Sequence, residues 1–321
     1  MATVRIGISG WRYPPWRGVF YPEGLPQRNE LAYGSSIFPT IEINGSFYSL
    51  QRPSSWAAWH DTTPPHFQFS IKAPRFITHI KRLRGVDTAL ANFWASGVLR
   101  LNAKLGPVLW QFPPSFHYDP VLMEEFFERL PRTTEAALGR ARNHDEHVYK
   151  KTWLEIDRPR RMRHAIEIRH ASFETPEFVK QLRRHRIGLV AADTAGKWPF
   201  MEDVTADFVY VRLHGDEVLY TSGYTGKALD RWARKIDSWS RGTQANDVKT
   251  RLPPAPKRSG GRDVFVYFDN DVKVRAPYDA MSLSHRLGLG PAPIDVPPAE
   301  SIHEVPRTSW PLYGRKKAKP G

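Results

Sequence analysis

The chain reads as an α/β protein, a single TIM-like (β/α)8 barrel with a basic insertion between strands four and five and a disordered C-terminal tail. Three observations predict this. Eight short apolar runs recur, at residues 4–10, 40–48, 67–73, 106–112, 164–170, 188–194, 208–215 and 264–270. Most end in an inward-pointing polar or charged residue. The stretches between them are long enough for helices and mostly carry helical patterning, the rhythm of alternating strand and helix. In such a barrel the active site lies at the C-terminal ends of the strands, so the rhythm also says where to look for function.

The connections follow in order. An aromatic loop holding Trp11, Tyr13 and Trp16 follows the first strand, and residues 27–34 read as a short helix. Ser54 can cap a helix through His60. Residues 87–101 read as helical, with a cap near Asp87. Asp119-Pro120 places Asp at the N-cap and Pro at the first helical position, and this helix ends near Pro131. Residues 134–142 add a further helical piece. The basic stretch 144–163, with Tyr149 and Trp153, has no clean period and reads as an extended excursion. Thr175-Pro176 starts a helix to Arg186, and 226–241 is the helix after strand seven. Residues 251–262, rich in Pro and Gly, read as a mobile loop. The last helix spans 279–287.

Composition limits the function classes. The 321 residues suit one large domain, 1–290, followed by a Pro-rich basic tail, 291–321, expected to be disordered. There is no cysteine, which excludes disulfides, thiol catalysis and thiolate metal sites. No run approaches the roughly 18 apolar residues of a membrane span. The first strand begins by Val4 and leaves no room for a signal peptide, so the expected location is the cytoplasm. The net charge of +14 makes nucleic acid a candidate partner. Genome bias toward arginine explains the same charge without any partner.

Side chains alternate along a strand. If the apolar set faces the helices, the alternate set lines the barrel. That lining is Gly7 and Ser9, then Glu42 and Asn44, then Ser70 and Lys72, then Leu109 and Gln111. It continues with Glu167 and Arg169, with Ala191 and Asp193, with Tyr210, Arg212 and His214, and with Tyr267 and Asp269. A barrel interior is usually filled by branched apolar side chains. An unpaired charge there is prohibitive, so this set is either an internal ion network or a site.

These residues fall in motifs. Gly7-Ile8-Ser9-Gly10-Trp11 with Tyr13 and Trp16, Ile41-Glu42-Ile43-Asn44 with Phe47-Tyr48, and Phe69-Ser70-Ile71-Lys72-Ala73-Pro74 with Thr78-His79 come first. Then follow Leu105-Gly106-Pro107, Gln111-Phe112-Pro113-Pro114, Glu167-Ile168-Arg169-His170, Tyr210-Val211-Arg212-Leu213-His214-Gly215 and Tyr267-Phe268-Asp269-Asn270. Together, over roughly residues 4–288, they resemble the DUF72 (YecE-like) family. The resemblance implies a TIM-like barrel and brings no reaction with it. Where that family usually has Asn-Asn, this chain has Asp269-Asn270, which adds an acid to the lining.

Three chemistries compete for the lining. Metal-assisted hydrolysis would use Glu42, Glu167, Asp193, His214 and Asp269 around a hard divalent cation such as Mg2+ or Mn2+. Lys72, Arg169 and Arg212 would repel that cation, and neither His-x-His nor His-Glu-x-x-His occurs. Metal ligands therefore stay unassigned. Glycoside hydrolysis would need a carboxyl pair such as Glu42 and Glu167, but the positions after strands four and seven hold Gln111 and His214.

A phosphate-bearing ligand, small molecule or nucleic acid, fits better, and phosphate-ester hydrolysis is the matching reaction class. Arg169 and Arg212 can each grip phosphate through two bonds, and Lys72 adds a point charge. Glu167 and His214 are the acid–base candidates. Glu42, Asn44, Gln111, Asp193, Asp269 and Asn270 would orient the ligand. Trp11, Tyr13, Trp16, Tyr48 and Trp198 offer flat faces at the rim.

Overall fold

Eight parallel strands close on one another in chain order, β1 beside β2 and so on round to β8 beside β1. The computed structural model describes residues 2–148, 151–219, 222–271 and 273–294. The strands are β1 Val4–Ser9, β2 Thr40–Ile43, β3 Gln68–Lys72, β4 Leu105–Gln111, β5 His164–Glu167, β6 Gly188–Asp193, β7 Phe208–Leu213 and β8 Asp263–Phe268. Around them lie α1 Glu30–Ile37, α2 Gly45–Tyr48, α3 Pro53–Thr62, α4 Asp87–Ala95, α5 Pro120–Arg129, α6 Thr134–Ala141, α7 Pro176–His185, α8 Gly226–Ser240 and α9 Arg275–Arg286.

Alternation builds two separate cores. Outward residues such as Ile6, Ile8, Ile41, Ile43, Val108 and Trp110 pack under the helices. A smaller inner core of Leu109, Ala165, Val190, Ala192, Phe208, Tyr210, Phe265 and Tyr267 plugs the barrel. Above this plug, toward the C-terminal ends of the strands, the inward positions turn polar, while at the other end Arg5 lies over Phe265, 5.5 Å from the ring centroid.

Several strands end earlier than the apolar runs do. Asn44 turns helical (φ −89°, ψ −22°), so residues 45–48 form α2 instead of extending β2. β5 stops at Glu167. The predicted Asp119 cap is present, its carboxylate accepting from the backbone N–H of Val121 and Leu122 at 3.1 Å. Thr133, Thr175 and Thr225 cap α6, α7 and α8 in the same way. Ser54 does not cap α3, which begins at Pro53 after Arg52. The helix expected over 87–101 breaks after Ala95. Gly97 is left-handed there (φ 104°), and a Cβ would lie 2.7 Å from the Cα of Pro53. A tighter 3-10 helical segment, Val98–Lys104, completes the connection. The final helix begins four residues before the expected Asp279, at Arg275.

Two arginines of the basic excursion are used at the end opposite the mouth, where Arg161 and Arg163 pair with Asp207 before β7, and Arg163 with Asp263 at the start of β8, while Arg160 pairs with Asp157 inside the excursion. Trp153 packs under Arg100, the guanidinium 4.1 Å from the ring centroid. Tyr149 lies outside the described residues, as does nearly all of the tail, 295–321. The loop 251–262 has no regular structure, yet it is pinned rather than free. The Asp203 carboxylate accepts from the backbone N–H of Arg251 and Leu252 at 3.0 Å.

β1 and β2 approach so closely that a Cβ on Gly7 would stand 1.9 Å from the Thr40 carbonyl oxygen. Gly7→Ala should therefore force the two strands apart and destabilise the fold by about 3 kcal/mol. Urea unfolding reads this directly. An unchanged midpoint would mean that the strands are not so closely apposed.

Candidate functional site

The mouth is organised by one side chain. Strand alternation on β7 points Tyr210, Arg212 and His214 inward, and Arg212 becomes fully buried at the centre. Its Nη2 donates to Glu42 Oε1 at 2.9 Å and to Asp269 Oδ2 at 2.8 Å, and its Nη1 donates to Glu167 Oε2 at 2.7 Å. Three carboxylates from β2, β5 and the end of β8 thus meet on one guanidinium. Each has other donors. Glu42 accepts from the hydroxyls of Ser9 and Tyr210, both at 2.6 Å. Glu167 accepts from Gln111 Nε2 at 2.7 Å and Arg169 Nε at 2.9 Å. Asp269 faces His214 Nδ1 at 3.0 Å.

This geometry sets the charge states. Burial alone would raise the carboxyl of Glu167, but Arg212 and Arg169 outweigh it and hold that carboxyl well below the usual range. Asp269 is likewise held low, burial being overcome by Arg212 and His214. Burial, and then Arg212, lower the imidazole of His214, so it is neutral at pH 7. Glu167, ionised and occupied by three donors, is a poor proton acceptor. It fixes Arg212, Arg169 and Gln111 in place, which corrects its expected role as an acid–base residue.

Arg212 corrects a second expectation. It has no exposed surface and every carboxylate around it is already paired with it, so it does not present an anion grip. The other two cations of the lining are Lys72, which is buried, and Arg169, which is partly buried. Lys72 Nζ lies 4.4 Å from the centroid of the Phe47 ring, and among the described residues no carboxylate pairs with it. Burial and the nearby Arg212 bring its pKa down to about 8. Arg169 lies over Trp198, its guanidinium carbon 3.8 Å from the ring centroid, with 12% of its side chain exposed.

Not every expected residue arrives at the mouth. Asp193 points outward. The register of β6 against β7 sets Val190 and Ala192 beside the inward Tyr210 and Arg212, and Asp193 beside the outward Leu213. Its carboxyl meets Trp232 and Tyr224 instead. Asn270, one position past Asp269, turns to the other side and donates to Asp279 Oδ2 at 2.8 Å. Trp16 is fully buried and donates to the Asp271 carbonyl. Trp11 is buried edge-on against Trp59. Neither can stack a ligand. Tyr13 donates its hydroxyl to the Ser9 carbonyl. Asn44 is held through Nδ2 to Ser9 Oγ at 2.9 Å, and among the described residues its buried Oδ1 has no donor. Tyr48 is an exposed rim aromatic.

Two residues escaped the sequence reading. Asp271 is buried beside Asp269, and burial together with that neighbour raises its carboxyl well above the usual range. It sits in a loop, where alternation gives no signal. His79 is lowered to about 4 by burial and by Lys72 and Arg169, and so stands neutral beside both cations. Its place next to Lys72 follows from the wide π-helical turn Phe76–Ile80, which no periodicity announces.

A divalent metal does not fit these groups. The carboxylates are turned onto a guanidinium, and among the described residues no three His, Asp or Glu side chains converge as ligands.

Arg212→Met would leave three buried carboxylates without their counter-ion and should destabilise by about 3–5 kcal/mol. Thermal melting near the parent temperature would show that the carboxylates are solvated instead. The pH dependence has two opposing parts. Glu167 and Asp269 are held low, so their stabilisation is complete above their unfolded values and is lost as pH falls. Asp271 is held high, so its contribution is present in acid and is lost as pH rises. Asp271→Asn should therefore melt higher than the parent at pH 8, the difference shrinking toward pH 4. Equal melting at both values would show that the Asp271 carboxyl is not buried uncharged.

Comparison with known proteins agrees with the fold. The sequence model of the family described as "Protein of unknown function DUF72" matches residues 5–302. The UPF0759 protein YunF of Bacillus subtilis is 35% identical over 119 residues, 35% of this chain and 41% of that protein. The UPF0759 protein YecE of Escherichia coli K12 is 27% identical over 113 residues, 35% of this chain and 39% of that protein. The chain thus spans about two fifths of the length of these relatives. A crystal structure of a DUF72 family protein from Thermotoga maritima superimposes with a TM-score of 0.66 at 25% identity, covering 89% of this chain and 99% of that one. One from Enterococcus faecalis gives 0.61 at 18% identity, covering 91% and 100%, a likeness of fold alone. With a family match over nearly the whole chain and the same closed barrel, this protein belongs to the DUF72 family.

Proposed function

We propose that the barrel mouth binds a small phosphate-bearing substrate, with Arg169 and Lys72 as its anion grip. One observation carries this reading. Arg212 and its three carboxylates form a closed, buried frame, while Arg169 keeps 12% of its side chain exposed and Lys72, buried beside Phe47, has no carboxylate partner among the described residues. A planar guanidinium held over Trp198 suits two bonds to phosphate oxygens. The neutral His79 adds a ring nitrogen beside them without adding charge. Asn44 Oδ1, a buried acceptor without a donor, suits a substrate hydroxyl.

If chemistry follows binding, Lys72 is the best proton donor. With a pKa of about 8 it can give up a proton near neutral pH to an oxygen leaving phosphorus. His214 and Asp269 form a carboxylate–imidazole pair behind it. Phosphate-ester hydrolysis is the reaction class these groups suit. The frame of Arg212, Glu42 and Glu167 favours a second role for that part of the lining, holding the strand ends together.

Inorganic phosphate and ribose 5-phosphate should raise the melting temperature of the parent by several degrees at saturating concentrations. Lys72→Met should fold as well as the parent, since it removes a buried charge, yet lose that response. The affinity should fall as pH rises through about 8, where Lys72 loses its proton. Isothermal titration across pH 6–9 checks this. A phosphate response that survives Lys72→Met, or one flat across that range, would place the anion elsewhere.

A further inference from the structure

The connection from β3 to α4 is unusual in three respects. It runs from Lys72 to Val86 with Lys72, Arg75, Lys81, Arg82 and Arg84 as cations and without one acidic residue. Its first part, Phe76–Ile80, is a π-helix, a wide turn that often marks functional sites. Its second part puts two consecutive non-glycine residues, Arg82 (φ 49°) and Leu83 (φ 66°), in the left-handed region. Such strain persists only where surrounding structure enforces it.

The side chains this backbone presents are equally unusual. Phe76 is 49% exposed and Ile80 is 58% exposed, on the same wide turn as exposed Arg75 and directly before Lys81. Lys81 Nζ lies 5.9 Å from the Phe76 ring centroid. On one side the turn continues to exposed Tyr48, because His79 packs edge-on against Phe47 at 5.0 Å and Phe47 against Tyr48 at 5.1 Å. On the other side Arg82 donates to Ser115 in the loop after β4. There Arg82, Arg84, Phe116 and His117 help to line a cleft of about 200 Å3. The exposed His117 lies against His170, the ring centroids 3.8 Å apart. Flat rings and cations thus alternate along one track, and Phe47, which carries Lys72, ties that track to the mouth.

We infer that this track binds single-stranded nucleic acid, its bases stacking on Phe76 and Tyr48 and its phosphates lying along Lys81, Arg82 and Arg84. The inference builds on the reading of the mouth as a phosphate site and names a polymer as its substrate class. Segment 72–86 sets exposed rings among cations and holds no acid, with Asp119 among the residues lining the adjoining cleft, and this matches a strand whose bases are unpaired and whose backbone is anionic. A duplex hides its base faces, and an acidic peptide offers nothing flat to Phe76.

Fluorescence anisotropy of the full chain with labelled oligothymidine tests it. Phe76→Ala should weaken binding on the order of tenfold and leave the salt dependence unchanged. Lys81→Ala with Arg84→Ala should lower the slope of log affinity against log salt by about 1.4, about 0.7 for each phosphate no longer neutralised. All three residues are exposed, so these variants should fold. An abasic oligomer should bind the parent weakly and ignore Phe76→Ala. The inference is overturned if the parent does not bind, or if the variants bind as the parent does. Binding of a hairpin duplex as tight as that of the single strand overturns it too, as does equal competition by polyglutamate. Failure here and failure of the mouth reading are distinguishable. The melting response to ribose 5-phosphate depends on Lys72 and should be untouched by Phe76→Ala, whatever the oligonucleotide does.

Discussion

The buried guanidinium of Arg212 is the interaction on which the rest of the mouth depends. A charge at the centre of a barrel is tolerable only when it is neutralised and fully hydrogen-bonded. Here neutralisation comes from Glu42, Glu167 and Asp269, which belong to three separated parts of the sheet. Ser9, Tyr210, Gln111 and His214 then satisfy the remaining valences of those carboxylates. One residue therefore ties β1, β2, β4, β5, β7 and the end of β8 into a single rigid ring. The apolar plug below keeps that ring out of the barrel interior.

This frame divides charge between structure and surface. Three acids and Arg212 pair internally, Arg169 pairs with Glu167, and Lys72 is left without a carboxylate partner among the described residues. Burial, and after it the neighbouring cations, lower Lys72, His79 and His214, so the two imidazoles stand neutral at pH 7 and Lys72 titrates at about 8. Asp271 adds a carboxyl kept protonated by burial and by Asp269. A site of this kind suits an anionic ligand and poorly suits a dication. The family shares the barrel, and its description supplies no reaction, so the chemical reading rests on these side chains.

The surface beyond the mouth follows a different logic. The excursion 144–163 is a conspicuous basic segment in the sequence, yet Arg161 and Arg163 are paired with Asp207 and Asp263 at the far end of the barrel and Arg160 with Asp157. The shorter basic segment after β3 has fewer charges but no acids, and its turn presents them beside exposed rings. Local charge density in a sequence is thus a poor guide to an electropositive surface, because pairing partners come from elsewhere in the chain.

Strand alternation made much of the molecule legible from residues alone. Period-two patterning placed Glu42, Lys72, Glu167, Arg212, His214 and Asp269 inside, because which side a residue faces is a local property of an extended backbone. It also foretold eight strands, their order and the polar end of the barrel. Alternation carries no information about partners, so only the closed sheet decided that Arg212 is consumed by three acids while Lys72 is not. It failed where its premise failed. β6 is apolar on both sides, and only its register against β7 showed that Asp193 faces outward. Asp271 and His79 lie outside the strands, and the φ/ψ values of two loops put them beside the site. Sequence thus determined which charges the barrel must bury, since facing is local. Tertiary structure decided which of them remain free to act, since pairing is set by distances across the ring.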